Sequence, residues 1–268
     1  MKNLNIRIKA ILFVLLCVPF CGAWTVAAEE PETRYTGGEL ISTYATETIS
    51  YVSKEIEEIT TANNAPSYHS IDDMTNGCGA VAGATVVGFY DKYYNNLITG
   101  WDSYYSTGRY KAQEYTYVSA LLKDLYARMK TNQVQPGVSE NDFKDGLKSY
   151  INSKGYNINY SSLGKGNGFD YNAFKSAIKN NEVTALFVQP SNIYLLSYSS
   201  SGNKDTVASS TISGNHIMVA YGYYEVKYTL TNGTRTDKYL MVSTGYVTGL
   251  ALYKVGSYID AAYVVKIS

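Results

Sequence analysis

Two side chains in this 268-residue sequence have the chemistry of a nucleophile and its base, and both belong to scarce residue types. The sequence holds three Cys and two His. Cys78 lies between Gly77 and Gly79 at the start of the run CGAVAGATVVGFYDKYY. A thiol at a helix N-terminus faces backbone N–H groups and the positive end of the helix dipole, both of which favour the nucleophilic thiolate. The flanking glycines leave room for a substrate, which suits a turn better than a packed core position. His216 begins the strand-like run HIMVAYGYYEVKYTL, with Gly214 before it and Gly222 after it, so other groups can approach. Paired with Cys78, it has the means to take the thiol proton and later return it. His69 precedes Cys78 by nine residues in an expected loop and reads as surface. One Cys and two His at these spacings make no zinc signature.

The elements around the pair follow from pattern. Lys2, Arg7 and Lys9, an apolar run over residues 10–20 and small residues up to Ala28 predict a secretory signal over residues 1–28. Cleavage there removes Cys17 and Cys21 and leaves Cys78 alone, so no internal disulfide can form. It also takes 23 basic residues to 20 against 23 acidic, a net charge of −3. With no basic cluster, nucleic acid is not an expected partner. Ile49, Val52, Ile56 and Ile59 recur at helical spacing, so residues 29–66 are expected to be an N-terminal amphipathic helix or a short pro-segment that shields the site.

Ala80, Ala84 and Gly88 recur every four residues after Cys78 and predict a buried helix with a small-residue stripe. Three further helices are expected within residues 114–130, 139–155 and 170–181, the second capped by Ser139 and the third beginning at Asp170. The glycine-rich residues 163–168 lack phosphate-loop spacing and read as a loop. From Val183 onward Val, Tyr, Thr and Ile dominate, with Asn232-Gly233 marking a hairpin and the Ser-rich residues 197–213 reading as a loop. Helices first (about 78–181) and antiparallel strands second (about 183–268) predict an α+β fold.

In this order, NGCGAVAGATVVGFYD, GNHIMVAYGYY and KYLMVSTGY resemble the papain-like cysteine peptidases, specifically bacterial branches related to bacteriocin-processing peptidases. The resemblance covers roughly Tyr68 to Ser268 and implies a helical lobe followed by an antiparallel β-sheet lobe, residues 67–268 forming the catalytic domain. It implies Cys78 as nucleophile and His216 as general base and acid. The residue that orients the imidazole falls at Thr244, with Asp237 as the alternative along the strand, and Tyr246 stands where a shielding Trp is common. The oxyanion-donor position six residues before the cysteine is Asp72, whose carboxylate cannot donate, which leaves Asn76 and the Cys78 N–H as donors.

The implied function is a secreted or cell-surface cysteine peptidase acting on peptide or protein substrates through an acyl-enzyme. No cofactor is signalled, and no membrane span is expected after signal cleavage. A catalytically degenerate papain-like protein that binds peptides or cell-surface material is the alternative, and acyl transfer or hydrolysis of a non-peptide amide would use the same residues.

Overall fold

A computed structural model describes residues 32–61, 65–71, 74–94, 96–100, 116–197, 202–246 and 251–268. The expected signal at 1–28 and Asp72 lie outside them. In chain order the elements are β1 (Arg34–Tyr35), β2 (Leu40–Ser50), β3 (Ser53–Thr60), α1 (Cys78–Tyr90), α2 (Thr116–Arg128), β4 (Val138–Ser139), α3 (Glu140–Ser153), β5 (Ile158–Ser162), a 3-10 turn (Gly166–Gly168) and α4 (Tyr171–Lys179). Strands β6 (Val183–Val188), β7 (Ser191–Ser197), β8 (Lys204–Ile212), β9 (His216–Leu230), β10 (Gly233–Ser243), β11 (Ala251–Lys254) and β12 (Ile259–Ile267) follow. The chain is thus an α+β protein with a large antiparallel sheet in the order β2-β8-β7-β11-β10-β9-β6-β12-β5. No helix among the described residues is long and apolar enough to cross a membrane.

All thirteen residues of α1 are buried. Such a helix must let its neighbours approach closely, and a Cβ on Gly83 would lie 2.7 Å from Met129 Cε and 3.4 Å from Leu125 Cδ1. Gly88 on the same helix is similarly crowded by Pro66 and Tyr68. Leu121, Leu122 and Leu125 of α2 and Phe143, Leu147 and Ile151 of α3 complete this layer, all buried as their spacing implied. The Ser139 hydroxyl caps α3 by accepting from the Asp142 N–H at 3.1 Å, and the Asp170 carboxylate caps α4 by accepting from the Ala173 N–H at 2.9 Å.

Two expectations are overturned. The N-terminal amphipathic helix is extended: residues 40–50 pair with β8 and residues 53–60 pair with β9. Val52 and Ile56, which the helical spacing assigned to a buried face, are exposed. The segment is rich in β-branched Ile, Val and Thr, and its pairing supplies partners to backbone groups of β8 and β9, so tertiary hydrogen bonding outweighs a coincidental 3.6-residue spacing. Likewise the Ser-rich stretch expected to be a loop contains β8, which lies between β2 and β7 and turns Val207, Ser210 and Ile212 inward. A strand paired on both sides has its backbone satisfied regardless of side-chain polarity.

The run 40–60 has a topological role. The strip β9-β10-β11-β7-β8 has β9 at one end and β8 at the other. Residues 40–50 bind the β8 end and residues 53–60 bind β9, so one bent strand completes a ring of backbone pairings. β3 and β6 share one side of β9: β6 takes His216 to Ala220, and β3 takes Gly222 to Thr229.

Candidate functional site

Cys78 is the first residue of α1, directly after the turn Thr75–Gly77. Asn76 within that turn has φ +58°, a left-handed conformation that Asn tolerates, and its side-chain N–H donates to Asn132 Oδ1 at 2.9 Å. The expectation that Asn76 supplies an oxyanion donor therefore meets a competing partner: the amide shapes the turn by joining it to the segment after α2. The Cys78 sulfur lies against three backbone N–H groups, those of Ile217, Gly79 and Cys78 itself. Burial is the larger effect and pushes the thiol up to about 12 despite those donors. The thiol is therefore neutral, and it donates a weak hydrogen bond to the Tyr35 carbonyl at 3.7 Å.

His216 opens β9 opposite Val188 of β6 and is 2 % exposed. The Ile217 N–H beside the sulfur belongs to the very next residue, so the start of α1 and the start of β9 meet at this point. His216 Nε2 lies 2.6 Å from the Thr244 carbonyl oxygen. A carbonyl only accepts, so Nε2 carries the hydrogen, and in the neutral ring Nδ1 keeps its lone pair. Burial pushes His216 down to about 4, with the Thr244 carbonyl opposing that shift. Both members of the pair are uncharged near neutral pH.

Thr244 thus contacts the imidazole, but through its backbone carbonyl where the sequence reading assigned its hydroxyl. The hydroxyl oxygen accepts from the Tyr246 N–H at 3.1 Å and shapes the turn after β10. That turn stacks the Tyr246 ring on the imidazole, with centroids 4.6 Å apart and planes 22° apart. The Tyr246 ring therefore covers one face of the imidazole, and its hydroxyl oxygen is 3.3 Å from His216 Nδ1. Asp237, the alternative orienter, pairs with Val226, ten residues along β9 from His216, or roughly 30 Å at about 3.3 Å per residue. It is held instead by Arg235 at 2.7 Å and Lys254 at 3.5 Å. His69 is exposed, with Nδ1 3.0 Å from the Ser70 carbonyl oxygen.

A feature that pattern reading missed lies directly over the pair. Residues 34–39 cross between the α3 side of the molecule and the loop before β9. Arg34 donates to the carbonyls of Pro136 and Gly137, at 3.2 and 2.8 Å, and Tyr35 packs edge-on against Phe187. Gly37 N–H donates to the Asn215 carbonyl at 2.9 Å, and Glu39 N–H donates to Ser213 Oγ at 2.8 Å. The Tyr246 hydroxyl donates to the Gly37 carbonyl and lies 3.1 Å from the Gly38 carbonyl oxygen. A Cβ on Gly37 would sit 3.5 Å from Cys78 Cβ and 3.8 Å from its sulfur. A Cβ on Gly38 would collide with the Gly214 backbone, 2.7 Å from its Cα. Gly37 and Gly38 have φ +89° and +64°, so two glycines permit both the turn and the close approach. The adjacent glycines in TGGE were the available signal, marking a turn but not its location.

Among the described residues no group of three or more His, Cys, Asp or Glu is arranged to hold a metal ion. No family model, curated protein or solved structure matches this chain.

Proposed function

We propose that this chain is an exported papain-like cysteine peptidase in which Cys78 and His216 form the nucleophile–base pair. The observation that carries the reading is the tautomer: Nε2–H is committed to the Thr244 carbonyl, so the proton-accepting nitrogen is Nδ1, on the side of the Tyr246 hydroxyl and the strap residues that contact Cys78. In the proposed reaction Nδ1 takes the thiol proton and the thiolate attacks a peptide carbonyl carbon. The Cys78 N–H and the Tyr246 hydroxyl, which already holds the Gly37 carbonyl, donate to the developing oxyanion. The imidazolium, supported by the Thr244 carbonyl dipole and the Tyr246 ring face, gives its proton to the leaving amine as the C–N bond breaks. Water, deprotonated by the same imidazole, then hydrolyses the thioester.

The test is hydrolysis of a fluorogenic peptide library by the protein and by a Gly38→Val form whose covering segment is displaced. Cys78→Ala is expected to abolish turnover in either background, and His216→Ala to lower it by about 10²–10⁴-fold. Full turnover in Cys78→Ala, or none in either parent, overturns the reading. The neutral, buried pair favours a second reading, a peptide-binding protein of this architecture. Labelling of the uncovered Cys78 by an irreversible thiol probe at mildly acidic pH, lost in His216→Ala, is incompatible with that second reading.

A further inference from the structure

We infer that the pocket between the start of β7, the end of β8 and the turn joining β11 to β12 is a binding site for an uncharged saccharide, with Tyr258 and Asn192 as its principal contacts. The site is separate from the Cys78–His216 pair and does not rest on the peptidase reading.

Topology makes the pocket. β7 lies in the sheet between β8 and β11, with Asn192 opposite Thr211 and Tyr194 opposite both Ser209 and Leu252. Successive residues of a strand point to opposite faces, so Asn192, Tyr194, Thr211 and Ser209 share one. Where that face runs off the end of β11, the chain turns through Gly256, whose φ is +95°, and Ser257 before β12 begins at Ile259. Between this turn and the β7 and β8 pair is a volume of about 440 Å³. Small-ligand sites run from roughly 300 to 1,000 Å³.

The walls are fixed before any ligand arrives. The Tyr253 hydroxyl donates to the Tyr258 carbonyl at 2.9 Å, and the Ser191 side chain sits beside that hydroxyl, so the turn is tied to β7. The Tyr194 ring packs edge-on against Tyr239, with centroids 5.8 Å apart. Tyr258 itself is 70 % exposed. An exposed ring on an anchored backbone offers a stacking face at small conformational cost.

The chemistry of the lining selects the ligand. Among the described residues no charged side chain lines the pocket, so a charged ligand would lose hydration without gaining a counter-charge. Hydroxyls of Ser191, Thr211 and Ser257 and the Asn192 amide stand there beside two tyrosine rings. The Thr211 hydroxyl donates to Asn192 Oδ1 at 2.7 Å, which leaves the amide Nδ2 as the donor that Asn192 presents. A sugar ring needs this mixture: donors and acceptors for its hydroxyls, and an aromatic face for its C–H groups. An extended peptide needs a run of open strand edge instead. Next to the pocket only Ser191 and Asn192 lack a ladder partner on the β11 side, too short a stretch to take a strand.

The measurement is saturation-transfer difference NMR titration of the full chain carrying Cys78→Ala, so that no turnover contributes. Maltotriose, cellotriose, mannotriose and chitotriose are the neutral probes, trigalacturonate the charged one and N-acetyl-trialanine amide the peptide. At least one neutral trisaccharide is expected to bind with a Kd of about 1 mM or below, and the charged and peptide probes to give no saturable signal. Tyr258→Ala is expected to weaken binding about tenfold, while Tyr258→Phe, which keeps the ring, stays within about threefold. Asn192→Asp keeps the acceptor for Thr211 and removes the donor, for a loss of about fivefold. Tyr117→Ala, at an exposed tyrosine of α2, is expected to change binding by less than about twofold. No saturable binding of any neutral trisaccharide overturns the inference, as does binding that neither pocket variant weakens or that Tyr117→Ala weakens equally. Saturable peptide binding lost in Tyr258→Ala overturns it in favour of a peptide site.

Discussion

The covering stretch 34–39 and the bent strand 40–60 are contiguous but held by different physics: the first pairs at Arg34–Tyr35 with β4 in a separate two-stranded sheet and then turns at two left-handed glycines, whereas the second joins the large sheet. The strand is held by two backbone ladders and by side chains that bind across them. Asp205 of β8, almost fully buried, accepts from Lys54 Nζ at 2.7 and 2.8 Å and from the Tyr228 hydroxyl at 2.9 Å. Glu57 binds Lys175 and the Tyr223 hydroxyl, and Glu47 binds Arg235. The covering stretch has only the two-residue pairing of β1 with β4 and, beyond it, scattered bonds around two glycines. A ladder distributes its energy over many residues and yields only when the domain unfolds. A few bonds at one crossing can break locally while the rest remains folded. The difference teaches that the segment preceding Cys78 contains both a structural strand and a stretch lying over the thiol, with a boundary no wider than one residue.

The largest expected effect strikes the strand. Asp205→Ala leaves the Lys54 ammonium and the Tyr228 hydroxyl without their shared partner and is expected to lower global stability by about 3–4 kcal/mol. Urea unfolding measures it, and Gly38→Val is expected to leave the same midpoint nearly unmoved. Equal losses in the two variants would erase the distinction between strand and covering stretch. Next comes acid. His216 is held near 4 in the folded chain against 6.5 unfolded, so the unfolded chain binds its proton first as pH falls. Its contribution is present above about 6.5 and is lost between there and about 4, roughly 3 kcal/mol in all. His216→Asn is expected to flatten that part of the stability–pH curve, and uncovering the cleft with Gly38→Val to shrink it.

Tyr246→Phe removes the hydroxyl that holds the Gly37 carbonyl while keeping the ring on His216. Loss of about 1 kcal/mol is expected to speed Cys78 alkylation about fivefold and, because the same hydroxyl is proposed to serve the oxyanion, to lower peptide turnover. Opposite movement of the two readouts is the signature; parallel movement would assign Tyr246 to holding Gly37 alone. The smallest effect is expected from Glu47→Gln, which loosens a half-exposed ion pair with Arg235. It should shift stability by less than about 1 kcal/mol and leave alkylation unchanged.

Much of the helical part was legible because its signals are local. Phe143, Leu147 and Ile151 repeat at helical spacing behind a Ser cap, and each is buried where the period puts it. The small residues of α1 implied close approach, and Leu125 and Met129 are what approach. The run 49–59 misled for the same reason. Its isoleucines satisfy a helical period locally, but the partners that hold it, β8 and β9, come more than 140 residues later in the chain. At the site, Cys78 and His216 stood out by scarcity and by flanking glycines. Thr244 meets the imidazole through its backbone carbonyl, and a carbonyl carries no side-chain signature. The Asn132 side chain that takes the Asn76 amide is 56 residues distant.

By itself the sequence determined residue types, local periodicity and chain order: one cysteine after the expected signal, a small-residue helix behind it, and a histidine at the head of a long strand. These follow from short-range sterics and composition. Only the tertiary structure decided which nitrogen of His216 carries the proton, that Tyr246 roofs it, and that residues 34–39 lie across the cysteine while residues 40–60 complete the sheet. Each depends on backbone groups far apart in sequence meeting at hydrogen-bonding distance, and the backbone is the same at every residue. Its partners are set by the fold as a whole.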